Sequence, residues 1–141
     1  MMIPIYAQNY DFSNCRVLAV DDIPLNLLLV SKMLSRFNFT LETAPGGQEA
    51  LDSVTRQKPD LILLDLMMPG VDGFEVIRRL RQSPENADIQ IVILSALTSS
   101  DDVSKGFNLG ANDYIMKPII MEKLLTCVVT QLSIAKGRKN P

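Results

Sequence analysis

Short apolar runs alternate along this chain with stretches in which apolar residues recur at helical spacing, and this alternation limits the possible folds more than any other feature. The clearest run is Leu61-Ile62-Leu63-Leu64, and the strongest helical pattern follows residue 120. Near-continuous apolar strands that alternate with helices are typical of parallel sheets, which are covered by helices on both faces. The sequence therefore predicts a doubly wound α/β fold with parallel strands over 16–20, 40–44, 61–65, 91–95 and 114–116.

Helices are predicted between successive strands and after the last one. The fourth is the weakest prediction, because only Val103 and Phe107 are large and apolar behind the N-cap residues at 99–102. A helix with so little to bury is expected to be loosely held. The predicted helices span about 24–37, 48–57, 74–82, a segment that ends before Gly110, and 121–134.

Polar residues stand where four of the predicted strands end. Asp21 and Asp22 follow the first strand, Asp65 closes the third, Ser95 closes the fourth and Lys117 follows the fifth. In open α/β sheets, ligands bind in the crevice at the carboxyl ends of the strands. Carboxylates with room for water favour Mg²⁺ over zinc, and an aspartate can attack phosphorus to form an acyl phosphate. The set therefore predicts a site for a divalent metal and a phosphoryl group, whose oxygens would be held by the lysine and the serine.

Each of these residues also has a purely structural interpretation. An aspartate at a strand end is commonly a helix N-cap or a turn former, so neither Asp65 nor the pair Asp21-Asp22 establishes a site alone. Ser95 fits a satisfied turn hydroxyl. Lys117 fits an exposed surface charge. In its functional role Lys117 is expected to matter for signalling more than for folding, so that its removal changes stability by no more than about 1 kcal/mol. The coincidence of all of them at the ends of neighbouring strands favours function.

The composition limits the class of protein. A chain of 141 residues fits one domain, and its net charge of −2 does not favour nucleic acid as a partner. The absence of histidine excludes Ser-His-Asp and Cys-His catalysis, histidine-containing zinc sites and a histidine phosphocarrier. Two distant cysteines, a start unlike a signal peptide and the lack of an apolar run of about 20 residues favour a cytoplasmic protein with reduced thiols. The predicted organisation is an N-terminal extension over 1–14, one domain over 15–134 and a short basic tail over 135–141.

Four short motifs occur in a fixed order along the chain: Val20-Asp21-Asp22, Leu64-Asp65-Leu66-Met67-Met68-Pro69-Gly70, Ser95-Ala96 and Lys117-Pro118. As a set they resemble the receiver domain of bacterial two-component response regulators, and the resemblance covers residue 16 to about residue 132. It implies a flavodoxin-like sheet of five strands in the order 2-1-3-4-5. It also implies a phosphorelay function without turnover of an external substrate.

The resemblance implies a role for each site residue. Asp65 would accept a phosphoryl group from a histidine of a sensor kinase or phosphotransfer protein, with Lys117 and Ser95 completing the site. Mg²⁺ would be bound directly by Asp22, by Asp65 and by the backbone carbonyl of Met67. Asp21 would act on the metal through water.

The resemblance further implies a switch. Ser95 and Tyr114 would form the switch pair, and the Lys117–Pro118 bond would be cis, a state that is rare outside X-Pro bonds. Phosphorylation would change the face made by the fourth helix, the fifth strand and the fifth helix. A downstream output protein or domain would bind that face, and the chain would be a monomer or a phosphorylation-dependent homodimer, with no membrane partner.

Two alternatives remain open at this point. A degenerate receiver would act as a protein-interaction module independent of phosphorylation, although such a chain typically lacks an acid or the lysine that are present here. A phosphohydrolase would use Asp65 as its nucleophile. The haloacid-dehalogenase pattern then needs a second acid two residues later, where this chain has Met67.

Overall fold

The computed structural model describes residues 9–139 and consists of five βα units. The strands are β1 Arg16–Val20, β2 Thr40–Ala44, β3 Leu61–Leu64, β4 Gln90–Ser95 and β5 Asp113–Met116. The helices are α1 Pro24–Met33, α2 Gly47–Arg56, α3 Gly73–Gln82, α4 Ser100–Leu109 and α5 Met121–Lys139, with a 3-10 turn over Pro84–Asn86. All strand pairs are parallel and the order is β2-β1-β3-β4-β5, so the predicted doubly wound fold and its strand order are confirmed.

The central strand β3 is buried on both faces, because alternate side chains point to opposite layers of helices. Leu61 and Leu63 belong to the core that the sheet forms with α1 and α5, whereas Ile62 and Leu64 belong to the core formed with α2 and α3. All four side chains are at most 1% exposed. Burial of one such side chain contributes about 1.5–3 kcal/mol, so β3 is a rigid base for the residue that follows it, Asp65.

Helix α1 is shorter than its apolar pattern predicts. The predicted helix reaches residue 37, but the observed one ends at Met33. Beyond this point hydrogen bonds between residues three apart replace the helical ones, from Ser35 N to Lys32 O and from Phe37 N to Leu34 O. Leu27, Val30, Leu34 and Phe37, the apolar residues at helical spacing, still belong to the core or pack against it, so their spacing reports burial rather than helical backbone.

Helix α5 is longer than predicted, since it continues past residue 134 to Lys139. Ala135 is buried, and Lys136 Nζ donates to the carbonyl of Asp11 at 2.7 Å. Arg138 Nη1 donates to the carbonyl of Asp88 at 2.8 Å. The first residues of the predicted basic tail are therefore the last turns of a helix. Phe12 is 2% exposed at the other end, so the packed residues extend past both bounds of the predicted domain, 15–134.

Helix α4 exists as predicted and is weakly anchored. Ser99 caps it by accepting a hydrogen bond from Asp102 N at 3.1 Å, and Gly110 ends it with a φ of 119°, a left-handed conformation that favours glycine. Within 100–109, all of which is described, Gly106 is the one buried residue. Cys15 and Cys127 are buried and are not joined in a disulfide. None of the helices in residues 9–139 combines the length and the apolar character of a membrane span.

Candidate functional site

Two neighbouring strands bring Asp21 and Asp65 side by side. Val20 of β1 is in register with Leu64 of β3, and each aspartate is the next residue of its chain segment. The backbone continues the ladder beyond the strands, because Asp65 N donates to Val20 O at 3.0 Å. Lys117 N likewise donates to Ser95 O at 2.8 Å, which holds the end of β5 beside the end of β4. The predicted convergence of strand ends is thus present in the backbone itself.

The three carboxylates form a compact acidic cluster. One oxygen each of Asp21, Asp22 and Asp65 lies within 4.8 Å of the others. Asp21 and Asp65 are both 6% exposed, and Asp22 is half-buried. Hard carboxylate oxygens at this spacing, with one partly open member, suit a Mg²⁺ ion that keeps several of its waters. The chemistry of these donors therefore fits the metal that the sequence predicts. The participation of the Met67 carbonyl stays a prediction.

Lys117 is more enclosed than a surface charge. Its side chain is 22% exposed, and Nζ lies 3.0 Å from Asp21 Oδ2 and 3.6 Å from Asp65 Oδ1. The Lys117–Pro118 peptide bond is cis, as the resemblance implies. The expectation that removing Lys117 costs no more than about 1 kcal/mol has to be revised, because the lysine compensates two buried carboxylates and an uncompensated buried charge is costly.

The surroundings of Asp65 disfavour its ionised carboxylate. Burial raises the pKa of its carboxyl above 3.8, Lys117 opposes this rise and Asp21 adds to it. The backbone amides of Met67 and Leu66 favour the ionised form. The ionised carboxylate is thus held in place by donors and is short of positive charge. This state suits a carboxylate that binds a cation or that attacks an anionic group as a nucleophile.

Asp21 is held by three donors. Ile23 N donates to Oδ1 at 2.9 Å, while Asn26 Nδ2 and Lys117 Nζ donate to Oδ2 at 3.1 Å and 3.0 Å. Sequence reasoning did not assign a role to Asn26. Its position in the first turn of α1 is the one signal that was available, because side chains on a helix point back toward the N-terminus and so toward the strand end.

Ser95 and Tyr114 meet at the loop between β4 and α4. Ser95 is 0% exposed and its Oγ accepts a hydrogen bond from Leu97 N at 3.1 Å. The Tyr114 hydroxyl donates to Leu97 O at 2.7 Å, and burial raises the pKa of this phenol. A Cβ atom on Gly106 would lie 3.6 Å from Tyr114 Cδ2, so the ring rests against α4. The two residues of the predicted switch pair are therefore linked by a side-chain hydrogen bond and through one loop residue, Leu97.

The loop after Asp65 is shaped by a cap and a glycine. Asp72 caps α3 by accepting from Glu75 N at 2.9 Å. Gly73 is required by close approach, because a Cβ atom there would lie 2.5 Å from the carbonyl oxygen of Asp65. Met67, two residues after Asp65, is 61% exposed. The Asp72-Gly73 pair thus has a structural role that fixes the backbone beside the candidate nucleophile.

Comparisons with known proteins agree on one family. The sequence model described as the response regulator receiver domain matches residues 17–129. The chain is 35% identical over 128 residues to a probable cyclic di-GMP phosphodiesterase of Vibrio cholerae, which covers 91% of this chain and 29% of that protein. It is 42% identical over 106 residues to response regulator PleD of Caulobacter vibrioides, which covers 75% of this chain and 23% of that protein. The chain thus spans less than a third of the length of these two curated relatives.

Solved structures give the same result for the fold. The chemotaxis protein CheY4 of Vibrio cholerae superposes with a TM-score of 0.77 at 32% identity, covering 82% of this chain and 97% of that one. The signal receiver domain of a putative LuxO repressor protein from Vibrio parahaemolyticus superposes with a TM-score of 0.83 at 29% identity, covering 89% and 95%.

Proposed function

The chain belongs to the response regulator receiver domain family, and from that premise we propose that it is the phosphoacceptor of a two-component phosphorelay, with Asp65 as the residue that carries the phosphoryl group. The observation that supports this most strongly is the sharing of Lys117 between Asp21 and Asp65 beside a third carboxylate. An aspartate that serves only as an N-cap or turn former does not require a shared lysine and two further carboxylates beside it. The intact set of three acids and one lysine also speaks against a degenerate receiver.

The chemical step is a transfer between two covalent carriers. A carboxylate oxygen of Asp65 attacks the phosphorus of a phosphohistidine on the partner, a P–O bond forms and the P–N bond breaks. The electron pair of the broken bond stays on the imidazole, which takes up a proton. Mg²⁺, held by Asp22, Asp65 and the Met67 carbonyl with Asp21 acting through water, would offset the negative charge that accumulates on the phosphoryl group.

Two residues of this chain would then stabilise the product. The Lys117 ammonium, which is within 3.6 Å of Asp65 Oδ1, can pair with a phosphoryl oxygen as a point charge. The Ser95 hydroxyl, which now hydrogen-bonds to Leu97 N and to Tyr114, can turn to donate to another phosphoryl oxygen. These two contacts are made only after the group arrives, so they favour the phosphorylated state.

The same contacts provide a switch. Movement of the Ser95 hydroxyl toward the phosphoryl group would alter its bond to Leu97, whose carbonyl also holds the Tyr114 hydroxyl. Tyr114 rests against α4, and that helix has few apolar anchors, so it can shift at low cost. The proposed output surface is therefore the face of α4, β5 and α5, presented to a downstream protein or domain.

We place the reaction in the cytoplasm and assign it no turnover of external substrates. The partner that supplies the group is a sensor histidine kinase or a histidine phosphotransfer protein. Met67 stands where a phosphohydrolase of the haloacid-dehalogenase pattern has its general acid, and a thioether cannot donate a proton. The domain accepts one phosphoryl group and later loses it to water.

The direct test is phosphorylation by a small donor. Incubation with acetyl phosphate or phosphoramidate and Mg²⁺ should add one phosphate to the wild-type chain by intact mass. Asp65→Ala and chelation of the metal should each abolish the addition. Asp88→Asn is a matched control, because Asp88 lies in an ion pair with Lys58 away from the cluster. Phosphorylation of Asp65→Ala at the wild-type level would refute the assignment.

A further inference from the structure

Asn26 lies in the first turn of α1, and its side chain reaches the acidic cluster. Its Nδ2 group donates to Asp21 Oδ2 at 3.1 Å, the same oxygen that accepts from Lys117 Nζ at 3.0 Å. The orientation of the amide follows from chemistry, because an ionised carboxylate accepts hydrogen bonds and cannot donate them. One oxygen of Asp21 is therefore bound by two donors of different kinds, a neutral amide and an ammonium.

Phosphorylation of Asp65 would attract only one of these two donors, the Lys117 ammonium. Lys117 Nζ is 3.0 Å from Asp21 Oδ2 and 3.6 Å from Asp65 Oδ1, so it is already divided between the two acids. A phosphoryl group on Asp65 adds charged oxygens on that side and draws the ammonium away from Asp21. The amide of Asn26 lies on another element, α1, and is neutral, so it stays bonded to Asp21.

The departure of Lys117 would leave Asp21 in a costly state. Asp21 is 6% exposed, and a buried carboxylate that loses a donor is destabilised by about 1–3 kcal/mol or more. Ile23 N donates to the other oxygen, Oδ1, so it does not replace the lysine at Oδ2. The bond from Asn26 is the one among these three that still serves Oδ2 after the lysine has moved.

We propose that Asn26 is a positioning residue that holds the Asp21 carboxylate while Lys117 turns to the phosphoryl group. The proposal rests on the proposed function of Asp65. Asn26 acts through Asp21 and Lys117 rather than on the phosphorus. By keeping Oδ2 bonded in both states, it lowers the free energy needed to release the lysine, and so it favours the phosphorylated form over the unphosphorylated one.

The test measures binding of beryllofluoride, a stable analogue of the phosphoryl group, at saturating Mg²⁺. Asn26→Leu keeps the shape of the side chain and removes the donor. It should weaken beryllofluoride binding at least roughly tenfold, the lower end of the loss expected for one hydrogen bond to a charged group. The affinity for Mg²⁺ alone should change much less, because the lost hydrogen bond goes to Asp21 Oδ2, the oxygen that also accepts from Lys117. Leu25→Ala is the matched control, since Leu25 is 61% exposed in the same turn of α1.

A double-variant cycle distinguishes this role from a merely structural one. In a Lys117→Met background there is no lysine to release, so Asn26→Leu should have little further effect on beryllofluoride binding. A structural role would produce the same loss in both backgrounds. Asn26→Ala serves the same cycle if thermal unfolding shows that the leucine variant is not folded.

The outcomes separate the two hypotheses. Equal beryllofluoride affinity in the wild type and in Asn26→Leu, or an equal loss with and without Lys117, overturns the role of Asn26 and leaves Asp65 as the acceptor. Failure of the wild type itself to bind beryllofluoride overturns the proposed function, and the role of Asn26 with it.

Discussion

Folding shifts the pKa values of two aspartates in opposite directions, Asp88 in an exposed ion pair and Asp65 in the buried acidic cluster. Lys58 Nζ lies 2.6 Å from Asp88 Oδ1 in an exposed ion pair, and the hydrogen bond from the lysine lowers the pKa of Asp88. In the acidic cluster, burial raises the pKa of Asp65, and Asp21 adds to the effect. Folding by itself satisfies the first aspartate. The second, Asp65, stays short of positive charge after folding. A cation from outside the chain would supply that charge.

The difference is one of stoichiometry as well as burial. Asp88 has its own lysine, and an exposed pair of this kind contributes about 0–1 kcal/mol to stability. The cluster contains three carboxylates, and Lys117 is shared between two of them, Asp21 and Asp65. A metal ion would correct this imbalance by adding positive charge. A phosphoryl group would then add negative charge, which the metal ion and Lys117 would have to offset.

The largest effect should come from Mg²⁺. A ligand at 100 times its Kd stabilises the folded state by about 2.7 kcal/mol, so saturating Mg²⁺ should raise the Tm of the wild-type chain clearly. Asp22→Asn and Asp65→Asn should lose most of this gain, and Asp88→Asn should keep it. Thermal unfolding with and without Mg²⁺ measures all four proteins. Equal gains in all of them would mean that the ion does not bind at the cluster.

Removal of the shared lysine should have the next largest effect. Without Mg²⁺, Lys117→Ala leaves two buried carboxylates without their cation and should destabilise the protein by about 2 kcal/mol. Lys58→Ala removes an exposed partner and should cost less than about 1 kcal/mol. Urea unfolding of both variants checks this ratio. Similar losses for the two lysines would remove the contrast between the two sites.

Neutralising Asp65 should stabilise the protein in the absence of Mg²⁺. A carboxyl whose pKa is raised by folding destabilises the native state while it is ionised, so Asp65→Asn should raise Tm at pH 7. The gain should shrink as the pH falls through the raised folded-state pKa, and it should vanish below the unfolded value of 3.8.

The matched change at the exposed pair has the opposite sign. Asp88 has a lowered pKa, so its ionised form stabilises the fold above pH 3.8, and Asp88→Asn should lower Tm slightly at pH 7. Calorimetric scans between pH 3 and pH 8 record both variants. A gain for Asp65→Asn that persists at the acid end would show that burial of charge is not its cause.

The smallest effect concerns dynamics. Beryllofluoride with Mg²⁺ should change amide exchange in α4 and around Tyr114, because the loop residue Leu97 links them to Ser95. The segment around Lys58 and Asp88 should exchange at an unchanged rate. Hydrogen exchange followed by mass spectrometry resolves these segments. Changes confined to the loops that carry the three acids would argue against the switch.

The sequence predicts the parts of this molecule that depend on local pattern. Apolar runs identify the strands, and because the carboxyl ends of parallel strands share one edge, the meeting of Asp21, Asp65 and Lys117 follows from their positions alone. The receiver resemblance supplied the strand order. The family of the chain was recognisable for the same reason, since its motifs are these strand ends.

The parts that the sequence did not predict depend on contacts between distant segments. The length of α5 depends on acceptors at Asp11 and Asp88, which no local pattern reveals. The enclosure of Lys117 depends on two acids from other strands. The reach of Asn26 to Asp21 depends on how α1 leaves β1, which local pattern does not fix.

We infer that Asp65, and neither of its neighbouring acids, carries the phosphoryl group. The most direct measurement is to phosphorylate the wild-type chain with phosphoramidate and Mg²⁺, reduce the acyl phosphate with borohydride and locate the modified residue by peptide mass spectrometry. We expect the modified residue to be Asp65. Modification of Asp21 or Asp22, or an unmodified chain under conditions where it binds Mg²⁺, would contradict it.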